Sequence, residues 1–207
     1  KKRCVAIRGY ASSIDNLAKF VKRNNFPKLP YLRISIAGSE ALYDETKDIV
    51  EDYLGGRIIS QYANEENGII AQQTIDGRLK GGFEINNGSY VIEVLKMDSD
   101  EPAQYGELGR IVITDLYNYA FPMIRYENGD CGVLEKTSDG EIYFSKIYGR
   151  IMDLVYSTDG SPISPMTLAR VLKNISGIRQ WQFIQDTESK YTIKVIPSDF
   201  STFDSGE

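Results

Sequence analysis

The sequence contains no histidine among its 207 residues, and this absence excludes several kinds of active site. Without histidine the chain cannot form a Ser-His or Cys-His nucleophile pair, or a metal site with histidine ligands. Any chemistry must therefore use carboxylates, arginine and lysine, hydroxyl groups and backbone dipoles.

Cysteine is also scarce in this chain. The two cysteines, Cys4 and Cys131, lie far apart and have no C-x-x-C spacing. Such a pair does not suggest a disulfide framework, and we interpret both side chains as reduced thiols.

Long apolar runs and a basic balance of charge are missing as well. No apolar run approaches the roughly 20 residues that a membrane-spanning helix requires, and the beginning of the chain shows no secretory signal pattern. The formal net charge of −5 argues against a general affinity for nucleic acid or for an anionic membrane. Because 42% of the residues are apolar, we expect a globular core, with the cytoplasm as the default location.

The first third of the chain predicts alternating helices and strands. Residues 12–24 place apolar side chains at helical spacing (Ile14, Leu17, Ala18 and Val21) behind a serine, which predicts an amphipathic helix with a serine cap. A strand is predicted up to Ile36 with a break at Gly38, then a helix over 43–56 and a strand over 57–63. This order favours an α/β layer with parallel pairing.

The character of the sequence changes at about Gly77. Short β-forming segments joined by Asn-Gly, Gly-Glu and Asp-Gly pairs predict an antiparallel sheet or an open barrel. After residue 149 the pattern predicts a hairpin, a helix capped by Ser164 and ended by Gly177, and a second hairpin. The predicted fold class is mixed α/β (α+β), with a domain boundary close to Gly149–Arg150.

The segment FPMIRYENGDCG, residues 121–132, carries an apolar strand into Asn-Gly-Asp. Asn128-Gly129 between β-formers is a strong signal for a hairpin turn. On turn chemistry alone, Asp130 would be a solvated turn residue. That interpretation accounts for the turn but not for the motifs around it.

Five motifs follow one another in a specific order: AGSEAL, QYANEENG, GELGRIVIT, MIRYENGD and YGRIMDLV. This order resembles the adenylate-forming ligases, and most closely the branch with the phenylacetate-CoA ligases, the deazaflavin-coenzyme synthetases and capsule-biosynthesis proteins of the CapK kind. FPMIRYENGD, beside that branch's P-L-I-R-Y-R-T-G-D, is the most specific match. The resemblance extends over nearly the whole chain but over only part of the family's length.

The resemblance implies a division of the chain into three parts. Residues 1–76 would be the α/β portion of the family's large domain, and residues 77–148 its antiparallel, barrel-like subdomain. Residues 149–207 would begin the small α+β domain.

The resemblance also implies a nucleotide site. Asp130 matches the aspartate that holds the ribose of ATP, and Arg150 matches an arginine that also reaches the ribose. Tyr62 matches the tyrosine that stacks on adenine. The loop beside the adenine corresponds to Gly38, Ser39 and Glu40. Arg125 matches a further family arginine, although an arginine there could simply pair with an acidic neighbour.

A magnesium ligand is implied by the motif usually written Y-G-x-T-E. Glu66 occupies the position of the metal-binding glutamate, and Glu65 is the alternative if the register differs by one residue. Ala63 and Glu65 depart from the glycine and threonine of the pattern, and a solvated acidic loop explains the pair equally well. At the hinge between the domains, Met152 stands where the family usually has aspartate. No zinc site is expected, since the cysteine cluster of some relatives is absent.

The function implied by the resemblance is an ATP-dependent ligase that adenylates a carboxylate and passes the acyl group to a thiol such as coenzyme A. A close alternative transfers AMP to a hydroxyl acceptor. A non-catalytic binding module is favoured by Ala63, Glu65 and Met152, and an unrelated β-rich interaction domain would make the motif order a coincidence. The family's phosphate loop and its adenylate-contacting lysine fall outside the matched region. The 207 residues alone are therefore expected to be inactive, to bind ATP weakly and to self-associate.

Overall fold

The computed structural model describes residues 3–151, 154–163, 165–173, 175 and 177–199. The chain divides into two compact units, Lys1–Ile147 and Tyr148–Glu207. No helix in the described ranges is long and apolar enough to cross a membrane.

Three parallel strands open the first unit, where the sequence predicted two parallel strands and missed the first of the three. Strand β1 (Ala6–Tyr10) pairs with β2 (Ile34–Gly38), and β2 pairs with β3 (Arg57–Asn64). Helix α1 (Ala11–Arg23) connects β1 to β2. Helix α2 (Asp44–Ile49) and a π-helical turn (Val50–Leu54) connect β2 to β3.

Helix α1 corrects two details of the prediction. The helix begins at Ala11, so Ser12 lies inside its first turn and is not a side-chain cap. Leu17, predicted on the apolar face, is 41% exposed. The buried stripe of α1 packs with residues of β2, β3 and the π-helical turn in one core (Ala11, Ile14, Ala18, Val21, Leu32, Ala37, Val50, Leu54 and Ile58).

Six further strands extend the same sheet. They are β4 (Gly68–Gln73), β5 (Phe83–Ile85), β6 (Tyr90–Leu95), β7 (Leu108–Asp115), β8 (Tyr126–Lys136) and β9 (Ile142–Arg150). The nine strands have the order β1-β2-β3-β4-β5-β9-β8-β7-β6. The fold is therefore mixed α/β, with one large sheet that is parallel at one end and antiparallel at the other.

Two turn assignments from the sequence are wrong. Asn87-Gly88 does not join a hairpin, because β5 pairs with β4 and β9 whereas β6 pairs with β7. Asn128-Gly129 is not a hairpin turn either, since both residues lie within β8. The preceding residues 121–125 are irregular, and the predicted strand starts only at Tyr126. Antiparallel pairing also begins earlier than predicted, at β3 and β4.

The antiparallel strands curve strongly. Strands β3 and β8 are four places apart in the sheet order, which would separate them by about 19 Å in a flat sheet. Yet the Tyr62 hydroxyl of β3 lies 2.8 Å from Asp130 of β8. The Tyr90 hydroxyl of β6 likewise reaches the carbonyl of Asn67, which precedes β4. The curved strands enclose a second core around Ile70, Ile111, Ile113 and Phe144.

The second unit follows the predicted order of elements. A short hairpin joins β10 (Val155–Tyr156) to β11 (Pro162–Ile163). Helix α3 (Pro165–Lys173) follows, and then a hairpin of β12 (Ile178–Gln185) and β13 (Tyr191–Pro197). The predicted cap Ser164 and the hinge residue Met152 lie outside the described residues.

Candidate functional site

The first part of the candidate site is the loop after β2. Gly38 ends this strand and pairs with Gln61, so the loop begins beside Tyr62. Ser39 has a φ of +62°, in the left-handed region. The carboxyl ends of parallel strands are the usual place for ligands in α/β sheets, and this loop lies at such an end.

Glu40 ties this loop to helix α1. Its carboxylate accepts hydrogen bonds from the Ser12 backbone N–H at 2.7 Å and from the Ser12 hydroxyl at 3.0 Å. An acidic group is favourable at a helix N-terminus, because the first N–H groups have no partner within the helix. Glu40 thus supplies the cap that the sequence predicted for serine.

The centre of the candidate site is a cluster of three polar side chains, Tyr62, Asn128 and Asp130. The Tyr62 hydroxyl donates to Asp130 Oδ2 at 2.8 Å, and Asn128 Nδ2 lies 2.6 Å from the same hydroxyl oxygen and 3.1 Å from Asp130 Oδ2. The Tyr62 ring meets Phe144 edge to face, with centroids 6.1 Å apart. Asn128 is 5% exposed and Asp130 is 8% exposed. Asp130 is thus a buried, hydrogen-bonded carboxylate, and its interpretation as a solvated turn residue is wrong.

A bulge in β8 places Asn128 and Asp130. Val112 of β7 pairs with Glu127, and Arg110 pairs with Cys131, so only one residue of β7 faces three residues of β8. Gly129 has a φ of +78°, a conformation that glycine adopts without steric cost. The Asn-Gly pair therefore forms part of a β-bulge and not a hairpin turn.

Glu66 forms a second contact between the same two motifs. The Tyr126 hydroxyl of β8 donates to Glu66 Oε1 at 3.2 Å. The turn that carries Glu66 is fixed by Asn64, which accepts from the Asn67 backbone N–H at 2.7 Å. Within the described residues, Glu65 has no hydrogen-bond partner and is exposed. The geometry therefore brings Glu66, and not Glu65, into contact with the MIRYENGD motif.

A metal site made by protein ligands alone is not present in the described residues, which contain no group of three or more acidic or cysteine side chains close enough to hold an ion. Magnesium needs fewer protein ligands than this, because it retains water and binds substrate phosphates through one or two carboxylates. The exposed carboxylate of Glu66 fits that mode of binding.

The predicted arginines occupy two different environments. Arg125 has a φ of +51°, and its Nε donates to Glu93 at 3.1 Å. The pairing with an acidic neighbour that the sequence left open is therefore present. Arg150 ends β9 and is exposed, and it belongs to the second unit.

Cys131 follows Asp130 and is fully buried. Burial, together with the nearby charge of Asp130, raises the pKa of this thiol to about 11. The side chain therefore stays neutral near pH 7 and does not serve as a nucleophile.

A hollow of about 400 Å³ is lined by residues at the ends of β4 and β5 and in the segment between them. Its charged groups are largely paired with one another, since Arg78 forms salt bridges with Asp76, Glu84 and Glu141. The hollow contains none of the residues predicted to bind a nucleotide.

The sequence comparisons give two curated relatives, while no protein-family model matches the chain. The chain is 25% identical over 199 residues to the protein CapK of Staphylococcus aureus, which covers 92% of the chain and 42% of CapK. It is 30% identical over 144 residues to phenylacetate-coenzyme A ligase of Pseudomonas putida, which covers 68% of the chain and 32% of that ligase. The chain thus spans less than half the length of these relatives.

Solved structures show the same fold. A 2-hydroxyisobutyryl-CoA ligase in its postadenylation state, bound to R3-HIB-AMP, matches 94% of the chain with a TM-score of 0.71 at 22% identity, over 44% of the ligase. ATP-bound MatB from Rhodopseudomonas palustris matches 98% of the chain with a TM-score of 0.66 at 16% identity, over 42% of MatB.

Sequence reasoning missed the roles of Asn128 and Tyr126. Both residues stand within the MIRYENGD motif, but Asn128 was assigned to a turn and Tyr126 received no role. Spacing alone could not reveal their partners, since Tyr62 and Glu66 are 66 and 60 positions away.

Proposed function

Because this chain belongs to the adenylate-forming CoA ligase superfamily, we propose that it carries the adenine- and ribose-binding part of a site that activates a carboxylate with ATP. The acyl group would then pass to a thiol such as coenzyme A. The names of the relatives support this acceptor, since two of them are CoA ligases.

A pair of reciprocal contacts carries the proposal. The motifs QYANEENG and MIRYENGD each contribute one tyrosine and one carboxylate. Tyr62 of the first motif donates to Asp130 of the second, and Tyr126 of the second donates to Glu66 of the first. Side chains that are 68 and 60 residues apart in the sequence are thus held together by the curvature of the sheet. Several polar side chains that converge on one place are typical of a binding site.

Each side chain has a distinct role in the proposed site. Asp130 would accept hydrogen bonds from the ribose hydroxyls, since an ionised carboxylate has about four acceptor positions. Tyr62 would stack on the adenine beside residues 38–40, and Arg125 and Arg150 would be further nucleotide contacts. Glu66 would hold magnesium, which neutralises phosphate charge when bound. Catalysis would then depend on position and charge, without a protein nucleophile.

We propose the division of the chain into domains that the resemblance implies, and the partial coverage of the relatives is compatible with it. The chain matches 42% of CapK, and we assign residues 1–76 and 77–148 to the large domain and residues 149–207 to the beginning of the small domain. The phosphate loop and the adenylate-contacting lysine would come from outside the 207 residues. The chain alone should therefore give no carboxylate-dependent release of pyrophosphate.

Magnesium dependence tests the proposal in the full-length protein. Glu66→Gln should raise the magnesium concentration needed for carboxylate-dependent pyrophosphate release, because an amide oxygen lacks the negative charge that attracts the cation. Metal-free nucleotide binding should change little. The matched control is Glu65→Gln, which removes the same charge from the adjacent exposed position.

Comparison of Glu66→Gln with Glu65→Gln shows which glutamate binds magnesium. A larger effect of Glu65→Gln would place the metal ligand one residue earlier. Absence of carboxylate-dependent pyrophosphate release in the unmodified full-length protein would reject the ligase activity and favour a non-catalytic module.

A further inference from the structure

Asn128 is a buried side chain that connects both of the other members of the central cluster. It is 5% exposed, and buried amides are costly unless they are hydrogen-bonded. Its carboxamide approaches the Tyr62 hydroxyl at 2.6 Å, Asp130 Oδ2 at 3.1 Å and the backbone nitrogen of Asp130 at 3.1 Å. One side chain thus contacts both Tyr62 and Asp130.

The partners fix the orientation of this carboxamide. The backbone N–H of Asp130 can only donate, so it must face Asn128 Oδ1. Asn128 Nδ2 then faces the Tyr62 hydroxyl and the Asp130 carboxylate, and it can donate to both. Oδ1 therefore accepts from the backbone, whereas Nδ2 donates to the two side chains.

We infer that Asn128 is a positioning residue whose Nδ2 group holds the Asp130 carboxylate against Tyr62 and so makes nucleoside binding depend on the ribose hydroxyls. The inference rests on the proposed function, in which Asp130 receives those hydroxyls. A hydrogen bond from an amide to a carboxylate is stronger than one between neutral groups, so its loss should allow Asp130 to change its direction.

A purely structural role would use the other half of the amide. The bond from the Asp130 N–H to Asn128 Oδ1 spans two residues, which is the pattern of an Asx-turn. Such a turn stabilises the bulge of β8 whether or not a ligand binds. A test must therefore remove the Nδ2 donor and keep the Oδ1 acceptor.

The substitution Asn128→Asp removes the Nδ2 donor and keeps an acceptor in the place of Oδ1. An aspartate has nearly the same shape and retains the acceptor for the Asp130 N–H. It loses the donor and brings a second negative charge towards Asp130. The matched control is Asn118→Asp, because Asn118 Oδ1 also accepts a backbone N–H, from Phe121 at 3.1 Å, in the loop between β7 and β8.

The readout is the preference for adenosine over 2′,3′-dideoxyadenosine, measured by NMR titration of the ¹⁵N-labelled 207-residue chain. NMR detects weak binding, and a ratio of two affinities does not depend on the fraction of folded protein. The unmodified chain should prefer adenosine by about tenfold. Asn128→Asp should lose most of this preference but bind dideoxyadenosine nearly as before, and Asn118→Asp should behave like the unmodified chain.

Two results would overturn the inference, and they differ. If Asn128→Asp keeps the preference, Asn128 acts only through the bulge, and the proposed ribose site stands. If the unmodified chain shows no preference, the ribose role of Asp130 fails and the inference fails with it. Should the spectrum show that Asn128→Asp does not fold, Asn128→Ser replaces it, because a serine hydroxyl also forms such turns and the same two results apply.

Discussion

The Tyr62 hydroxyl is a shared hydrogen-bond partner of two buried polar groups, Asn128 and Asp130. Tyr62→Phe removes this hydroxyl but retains the ring and its contact with Phe144. The two remaining groups are each more than nine-tenths buried and would lose a hydrogen-bond partner. We therefore expect the free energy of unfolding to fall by about 1–3 kcal/mol in urea denaturation.

Tyr119→Phe is the control for this change. Tyr119 is 85% exposed, so removal of its hydroxyl should alter stability by less than about 0.5 kcal/mol. Equal stability of both variants and the unmodified chain would contradict the structural importance of the Tyr62 hydroxyl.

At the scale of single residues, the sequence singled out several residues of the candidate site, but it did not predict which of them contact one another. Tyr62, Glu66 and Asp130 were found by position within motifs, and the structure brings Tyr62 to Asp130. Asn128 was misassigned because Asn-Gly suits any backbone that needs positive φ, whether a hairpin turn or a bulge. Only the pairing of β7 with β8 decides between these two, and that pairing is not local.

At the scale of elements, the close approach of β6 and β7 depends on Gly109. A Cβ atom at this position would lie 2.1 Å from the carbonyl oxygen of Leu95 and 2.6 Å from a methyl carbon of Val94. Gly109→Ala should therefore separate the two strands and cost about 3 kcal/mol of unfolding free energy, or prevent folding.

Gly88→Ala is the matched control, since its added Cβ would meet its nearest neighbour at 3.7 Å. It should leave the denaturation midpoint nearly unchanged. Equal stability of Gly109→Ala and Gly88→Ala would contradict the close approach of β6 and β7 at Gly109.

Local periodicity predicted most elements but not the order of the strands. Helix α1 and strands β2 and β3 follow from patterns within each segment. The insertion of β9 between β5 and β8 depends on contacts between distant residues, and turn signals such as Asn87-Gly88 contain no information about it. The cap of α1 was missed for the same reason, because Glu40 lies 28 residues from Ser12.

At the scale of the whole molecule, the loop between β7 and β8 presents an apolar surface. Tyr117, Tyr119, Phe121 and Ile124 are each more than 65% exposed. Asp115 holds the loop in place by accepting the backbone N–H groups of residues 117 and 118. Exposed apolar side chains grouped in one loop favour association, since an aromatic side chain can bury roughly 150–250 Å².

We therefore expect the 207-residue chain to self-associate through this loop. In sedimentation velocity, a variant with Tyr119→Ser and Phe121→Ser should dissociate at concentrations at which the unmodified chain is associated. The control combines Phe26→Ser and Tyr105→Ser, which remove two aromatic side chains that are about half exposed elsewhere. A monomeric unmodified chain, or equal dissociation of both variants, would contradict this expectation.

The ribose role of Asp130 is the central claim, and nucleotide affinity in the full-length protein tests it most directly. Calorimetry would compare ATP with 2′,3′-dideoxy-ATP for the unmodified protein and for Asp130→Asn, with a melting curve to verify that the variant folds. Asp130→Asn should weaken ATP binding by about 1.5–3 kcal/mol and should hardly change the binding of the dideoxy nucleotide. Equal losses for the two nucleotides, or an unchanged ATP affinity in the folded variant, would contradict the account.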